Sequence, residues 1–239
     1  MNSKPKVALF RPDDHRMEKS TSMLRDRGYQ PIPDPLLEPK PTGSQPRRDA
    51  DYLVLTSVTG VEIVFDGRVR DIDAELVVIG PKTADAVRSH GVEVDLIPDT
   101  YSSAGLVEEL RGRVEGKRVE VARSDHGSPQ LPDGLNDAGA YVHETTLYEL
   151  EKPQRAGEKT MEALRQGEVD ALLFTSSLIV DNLAEMSLDN ILADLLEDVV
   201  VAAIGEPTQK QIEQHGFEAT YVAPQETFRS MVDELDNHL

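Results

Sequence analysis

Leu-Val-Leu-Thr-Ser at residues 53–57 returns as Leu-Leu-Phe-Thr-Ser at residues 172–176. A second pair follows these runs: Val-Ile-Gly-Pro-Lys-Thr at residues 78–83 and Ala-Ile-Gly-Glu-Pro-Thr at residues 203–208. The helical stretch after each member of the second pair has the same length and ends at a glycine. The chain therefore carries one strand–helix pattern twice, and this repetition predicts two similar lobes.

Short apolar runs alternate with amphipathic stretches along the rest of the chain. Val7–Phe10 and Val119–Ala122 form a third, weaker pair, and an arginine follows each of them. The runs are uniformly apolar over a few residues, which is typical of strands that are buried on both faces. Helical stretches fill the gaps between them. This alternation predicts an α/β fold built on parallel sheets.

Two polar linkers indicate a crossed division of the chain. A Pro-rich stretch that ends at Arg48 separates the first strand–helix unit from the next, and a polar stretch begins at Glu149. Domain boundaries fall in such linkers. We therefore predict one lobe from residues 1–36 plus 154–239 and a second lobe from residues 49–148. Residues 37–48 and 149–153 would link them, and a cleft would lie between the lobes.

The composition excludes several classes of protein. At 239 residues the chain is long enough for two domains. It contains no cysteine, which excludes disulfides, thiolate nucleophiles and cysteine-ligated metals. The net charge of −19 argues against nucleic-acid binding, because neutralising phosphates requires Lys and Arg. The six histidines show no metal-ligand spacing, so we expect neither a metal nor a cofactor.

The chain also lacks the marks of a membrane or exported protein. No apolar stretch approaches the roughly 18 residues that span a bilayer. The polar residues 1–6 lead straight into a predicted strand, so we expect no signal peptide. A strongly acidic surface repels copies of itself. We expect a cytoplasmic monomer that acts on a small molecule and binds neither membranes nor nucleic acid.

Hydroxyl and guanidinium side chains follow the predicted strands. In open parallel sheets, ligands bind outside the carboxyl ends of the strands, where helix N-termini favour anions. Helix capping remains an alternative for each hydroxyl, and a solvated surface position remains one for each arginine. Recurrence at equivalent strand ends favours a ligand with several carboxylates or phosphates. The candidates are Arg11, Thr56, Ser57, Arg123, Ser124, Thr175 and Ser176.

Standard catalytic signatures are missing from the sequence. There is no G-x-G-x-x-G, no G-x-x-x-x-G-K-[ST] and no G-x-S-x-G. Tyr148 follows a predicted strand and opens the return linker, so it should lie at the wall of the cleft. A phenol is protonated at neutral pH and can donate a hydrogen bond to a departing hydroxyl. Packing at the lobe edge is the alternative role for this ring.

The joint order of these motifs resembles the uroporphyrinogen-III synthase family. The resemblance covers nearly the whole chain, and it implies two flavodoxin-like lobes with parallel sheets joined by a two-segment linker. The N-terminal segment would belong to the C-terminal lobe. The residues that carry the resemblance are Arg11-Pro12, Gly28, Thr56-Ser57, Ile79-Gly80-Pro81 with Thr83, Gly91, Pro98, Tyr101-Ser102, Tyr148, Phe174-Thr175-Ser176, Ile204-Gly205 with Thr208, and Gly216.

The resemblance implies a reaction as well as a fold. Members of the family act on hydroxymethylbilane, a linear tetrapyrrole with eight carboxylates; they release water, invert the terminal ring and close the macrocycle without a cofactor. Tyr148 matches the tyrosine proposed as the proton donor, and Thr83, Ser177 and Thr208 join the strand-end hydroxyls as substrate contacts. One loop departs from the family, because Pro207 removes a backbone donor and Glu206 adds a negative charge.

Two other functions fit the same sequence. A non-catalytic regulatory protein of the same fold would bind a tetrapyrrole or another polyanion without turning it over. A two-lobed solute-binding protein is a third reading, and the missing signal peptide argues against it.

Overall fold

The computed structural model of the protein describes residues 4–65, 73–186 and 191–239. Its strands, in chain order, are β1 (Lys6–Leu9), β2 (Gln30–Pro33), β3 (Glu38–Pro41), β4 (Tyr52–Leu55), β5 (Glu75–Val78), β6 (Arg118–Ser124), β7 (Tyr141–Glu151), β8 (Ala171–Phe174), β9 (Val200–Ala203) and β10 (Tyr221–Val222). Its helices are α1 (His15–Asp26), α2 (Val58–Phe65), α3 (Pro81–Ser89), α4 (Ser103–Leu110), α5 (Gln130–Asp137), α6 (Glu158–Arg165), α7 (Ser177–Ala184), α8 (Leu192–Leu195), α9 (Glu206–Gln214) and α10 (Phe228–Leu235).

The strands form two five-stranded sheets. The first has the order β10-β9-β8-β1-β2, and its neighbouring strands all pair in parallel. The second has the order β3-β7-β6-β4-β5, with β5, β4, β6 and β7 pairing in parallel. Counted along the chain, β5-β4-β6-β7 is the 2-1-3-4 order of flavodoxin-like sheets. The predicted α/β class with parallel sheets is confirmed.

The two sheets share one layout around the repeated runs. The run at 172–174 lies in β8 between β9 and β1, and the run at 53–55 lies in β4 between β5 and β6. Leu96 bridges Val77 of β5 in parallel, in the place that β10 takes beside β9. The first strand of the chain therefore holds in one sheet the place that β6 holds in the other. The repeat seen in the sequence is a repeat of neighbouring strands in space.

Helices cover both faces of each sheet, as the uniformly apolar strands require. Val7 and Leu9 pack on the side of α1 and α10, while Ala8 and Phe10 are equally buried on the other side. In the second sheet, Val119 and Val121 pack with α4 and α5, and Ala122 packs with α2 and α3. Consecutive residues of one strand point to opposite faces, so a strand without polar alternation is buried on both.

The chain divides into two compact units. Unit 1 comprises residues 1–38 and 151–239, and unit 2 comprises residues 39–150. The chain leaves unit 1 within β3 and returns to it within β7. Residues 38–41 of the predicted linker 37–48 form β3, and β7 extends through residue 151 of the predicted linker 149–153. Proline removes a ladder donor but is tolerated on edge strands, and β3 is an edge strand.

The sequence of residues 177–196 predicts either one long helix or two short ones. The structure shows α7 and α8 within it, and residues 187–190 lie outside the described part of the chain. α7 packs against α9, and Ser176 caps it by accepting a hydrogen bond from Ile179 N–H at 3.4 Å.

Candidate functional site

Each sheet has, between its central pair of strands, the switch point at which doubly wound sheets form a ligand crevice. Leu55 of β4 pairs with Ala122 of β6, and Leu9 of β1 pairs with Leu173 of β8. The helices after β4 and β6, α2 and α5, belong to the clusters on opposite faces of the sheet. Ligands of doubly wound sheets bind where the helices diverge in this way. The structure therefore brings Thr56 and Ser57 together with Ser124 in unit 2, and Arg11 together with Thr175 in unit 1.

Ser57 is the most highly connected hydroxyl of the unit 2 crevice. Its Oγ accepts a hydrogen bond from Gly60 N–H at 2.9 Å, which caps the first turn of α2. The same oxygen accepts a second hydrogen bond, from the Tyr148 hydroxyl at 3.0 Å. Ser57 Oγ therefore both caps α2 and contacts Tyr148, the predicted proton donor.

Tyr148 lies within β7 instead of opening a linker. Its ring is 7% exposed and packs in the apolar cluster that holds Leu55, Ala122 and Leu147. The sequence left two alternative roles for Tyr148, which are packing at the lobe edge and proton donation. The structure shows a feature that suits each role. The ring is held by the core, and the hydroxyl reaches the strand-end hydroxyl of Ser57.

Arg11 is a partly buried cation that forms no salt bridge with the residues that the structure describes. Its guanidinium stacks over Phe228, with Cζ 4.8 Å from the ring centroid. Its Nε is buried and has no hydrogen-bond partner among the residues described. Burial lowers the pKa of Arg11, the nearby Arg16 lowers it further, and the nearby Asp14 raises it by a smaller amount. Desolvated guanidinium groups gain most from an incoming carboxylate or phosphate. Arg11 is therefore suited to binding an anion.

Arg123 does not share this arrangement, although the sequence pairs it with Arg11. Its side chain is almost fully buried, and its Nε donates to Glu144 Oε2 at 2.8 Å. One terminal nitrogen also pairs with Glu144, and the other donates to the Ser128 carbonyl. Each of the three nitrogens of Arg123 thus donates within the protein, and these bonds hold the loop after β6, so a predicted ligand contact at Arg123 would have to share its donors with them.

The remaining hydroxyls fall into two groups. Ser176 and Ser177 are engaged within the protein: Ser176 caps α7, and Ser177 Oγ donates to the Pro207 carbonyl at 3.1 Å. Thr56, Ser124 and Thr175 are partly exposed, and over residues 4–65, 73–186 and 191–239 their side chains have no hydrogen-bond partner. The second group is open to a ligand as it stands.

Thr83 and Thr208 occupy matching places at the starts of α3 and α9. Each is the third helical residue after an extended glycine, Gly80 or Gly205, that precedes the helix. Both threonines are buried, and neither hydroxyl has a partner within the described segments. In the departing loop, Glu206 forms an exposed pair with Lys210 at 3.5 Å, which offsets part of its charge. Thr208 keeps its place despite Pro207.

Thr83→Val and Thr208→Val are expected to weaken substrate binding by about 5-fold each without destabilising the protein. Valine keeps the shape of threonine, and a hydroxyl without a partner contributes its net energy of about 1 kcal/mol only when a ligand accepts from it. Thr160→Val is the matched control, because Thr160 is also the third residue of its helix but its hydroxyl is fully buried. KM and thermal unfolding of the three variants test this. Equal KM changes in all three would contradict it.

Sequence reasoning missed two residues of this site. Phe228, which supports Arg11, and Glu144, which occupies Arg123, are both remote from their partners in the sequence. Only for Glu144 does a local signal exist, because it alternates with Thr146 along β7, and Thr146 is the register partner of Arg123. No helix in the described segments has the length and apolarity to cross a bilayer. No cluster of three or more metal-ligating side chains occurs among the residues that the structure covers.

Comparison with known proteins gives one family. The family model described as Uroporphyrinogen-III synthase HemD matches residues 18–233. A protein of Methanothermobacter thermautotrophicus, provisionally named a uroporphyrinogen-III synthase, is 32% identical, and the alignment covers 96% of both chains. The uroporphyrinogen-III synthase of Synechococcus elongatus is 31% identical over 67% of this chain and 64% of its own length.

Solved structures agree on the fold. The uroporphyrinogen-III synthetase of Helicobacter pylori superposes with a TM-score of 0.70 at 14% identity, covering 99% of this chain and all of that one. A mutant uroporphyrinogen III synthase of Thermus thermophilus gives 0.67 at 21% identity, with 98% of each chain covered. At these identities the likeness concerns the fold, while the match of the family model decides membership. The resemblance inferred from the motifs is confirmed, and the chain belongs to the uroporphyrinogen-III synthase family.

Proposed function

We propose that this protein converts hydroxymethylbilane to uroporphyrinogen III, with loss of water and inversion of the terminal pyrrole ring. The observation that carries the proposal is the family match across residues 18–233. The chemistry requires a proton for the departing hydroxyl and firm placement of an anionic substrate. Ring closure at the correct carbon then follows from how the reacting rings are held.

The residues of each unit supply what this reaction needs. In unit 1, Arg11 has a guanidinium whose Nε lacks a hydrogen-bond partner among the described residues and could bind a substrate carboxylate. In unit 2, the hydrogen-bonded hydroxyls of Tyr148 and Ser57 could donate a proton at the carboxyl end of β4. Thr56, Thr83, Thr175 and Thr208 offer hydroxyls without partners among the described residues. Of the predicted substrate contacts, Arg123 is the least available, because each of its three nitrogens already donates to Glu144 or to the Ser128 carbonyl. We also propose that units 1 and 2 are separate domains and that the protein is a cytoplasmic monomer.

Incubation with enzymatically generated hydroxymethylbilane tests the proposed function. The expected product is the type III isomer, separated by chromatography after oxidation to the porphyrin. The reaction without protein is the control, because the substrate closes spontaneously to the type I isomer. Formation of type I alone would contradict the proposal. Binding of the substrate without turnover would then indicate a regulatory protein of the same fold.

A further inference from the structure

The hydrogen bonds of Ser57 leave its own proton without an acceptor. A serine hydroxyl has two acceptor positions and one donor. Gly60 N–H fills one acceptor position at 2.9 Å, and the Tyr148 hydroxyl fills the other at 3.0 Å. No described residue accepts the Ser57 proton. The free donor of this pair is therefore on the serine, at the carboxyl end of β4.

Tyr148 is placed behind that donor. Its ring is held in the core with 7% of its surface exposed, and its hydroxyl proton is already directed at Ser57. Ser57 is more open to solvent than Tyr148. A substrate that enters the crevice outside β4 and β6 meets the serine hydroxyl first. The exposure of the two side chains and the direction of their hydrogen bond therefore both place Ser57 nearer to the substrate than Tyr148.

We infer that Ser57 delivers the proton to the leaving hydroxyl of the substrate and that Tyr148 replaces it, as a two-residue relay. This inference rests on the proposed function. Ser57 is then the catalytic residue that touches the reacting oxygen, and Tyr148 is a positioning residue that acts through it. The Gly60 N–H bond fixes the serine rotamer, so that the free proton keeps one direction.

The step balances in atoms and charge. The C–O bond of the hydroxymethyl group breaks, and its electron pair stays on the oxygen. That oxygen takes the Ser57 proton and leaves as water, while the Ser57 oxygen takes the Tyr148 proton. The carbon framework is left as an azafulvenium cation and Tyr148 as a phenolate. When the ring closes, the pyrrole carbon that is attacked loses one proton, which restores the phenol through the same serine. The relay places the transient charge on a phenolate, which is more stable than an alkoxide.

Paired substitutions test the relay. Ser57→Ala and Tyr148→Phe are each expected to lower kcat by about 10²- to 10³-fold, within the range of general-acid catalysis. The double variant should be no slower than the slower single variant, because the members of a relay act as a unit. Ser57→Thr keeps the hydroxyl and should restore kcat to within about 3-fold of the unmodified protein. Independent, multiplying losses, or failure of Ser57→Thr to restore turnover, would overturn the relay.

Two further measurements separate the relay from a structural role. Ser57→Ala also removes a helix cap worth about 1 kcal/mol. Ser102→Ala is the matched control, because Ser102 caps α4 by accepting from Gly105 N–H at 3.0 Å in the same unit. It should match the stability loss with turnover nearly unchanged. In mixtures of H₂O and D₂O, kcat of the unmodified protein should curve with deuterium fraction, and that of Tyr148→Phe should be linear. A linear dependence in both would overturn the relay, whereas type I product from the unmodified protein would overturn the proposed function itself.

Discussion

Replacing Arg11 by methionine is expected to lower kcat/KM by about 10²-fold while the free energy of unfolding stays constant or rises slightly. The guanidinium is partly buried, its Nε has no hydrogen-bond partner among the described residues, and desolvation outweighs the attraction of the nearby Asp14, so removing it relieves a desolvation cost in the free protein. Methionine keeps an unbranched apolar stem against Phe228, which limits the loss of packing. In the complex, a substrate carboxylate loses its charge-assisted partner, which typically costs about 3 kcal/mol, equivalent to 10²-fold.

The neighbouring Arg16 provides the control for this experiment. It pairs with Asp14 at the start of α1, and its charge acts on Arg11 through space. Arg16→Met should change kcat/KM by no more than about 3-fold, since its ion pair with Asp14 is partly exposed to solvent and contributes little. Steady-state kinetics and urea unfolding of both variants give the comparison. An equal loss of kcat/KM in the two variants would show that general positive charge, and not contact with Arg11, attracts the substrate.

The opposite pattern is expected for Arg123. Arg123→Met should lower the free energy of unfolding by about 2–3 kcal/mol, because it removes charged hydrogen bonds to Glu144 and the Ser128 carbonyl. Glu144 is 43% exposed in its side chain, so water recovers part of its solvation and the loss stays below that of a fully buried pair. For a chain of this length, this corresponds to a Tm lower by roughly 5–10 °C.

Glu144→Gln separates charge from hydrogen bonding at this position. Glutamine keeps an oxygen that can accept from Arg123 but removes the negative charge, so a smaller loss of about 1 kcal/mol is expected. Thermal unfolding of Arg123→Met, Glu144→Gln and the double variant gives their coupling energy. Strictly additive losses would contradict a pairing that holds the loop. Well below Tm, kcat/KM of Arg123→Met should fall less than that of Arg11→Met.

The contrast between these two arginines shows how far the sequence reaches. Both follow a short apolar run in the sequence, and both lie near equivalent ends of repeated layouts, so the runs before them do not distinguish them. Their environments differ through distant partners, which are an acidic residue on β7 for Arg123 and the aromatic ring of the first residue of α10 for Arg11. Strand order and class follow from apolar runs and glycines, which are local signals. Ion pairing depends on which side chain a neighbouring strand brings close in space, and a local sequence pattern does not specify that partner.

Two other features could not be predicted from local sequence. One is the strand that forms in the Pro-rich segment, and the other is the hydrogen bond of Tyr148. Prolines predicted a linker through residue 48, but an edge strand needs donors on one side only, so β3 forms there. Tyr148 was predicted by resemblance as a proton donor. Its bond to Ser57 depends on β7 and β4 lying on either side of β6, which the sequence does not specify at the level of single atoms.

The shared layout of the two sheets also has a consequence for the order in which the chain can fold during synthesis. All strands of the second sheet lie within residues 38–151, so that sheet has every partner once this stretch has left the ribosome. β1 and β2 are made first, yet the central partner of β1 is β8, where Val7 pairs with Ala171. The first apolar strand must therefore wait, paired only with β2, while the whole of unit 2 is made. Because unit 1 is built from both ends of the chain, the segment that is synthesised first forms its central contacts last. Contacts this far apart in sequence require the closure of a long loop and form slowly.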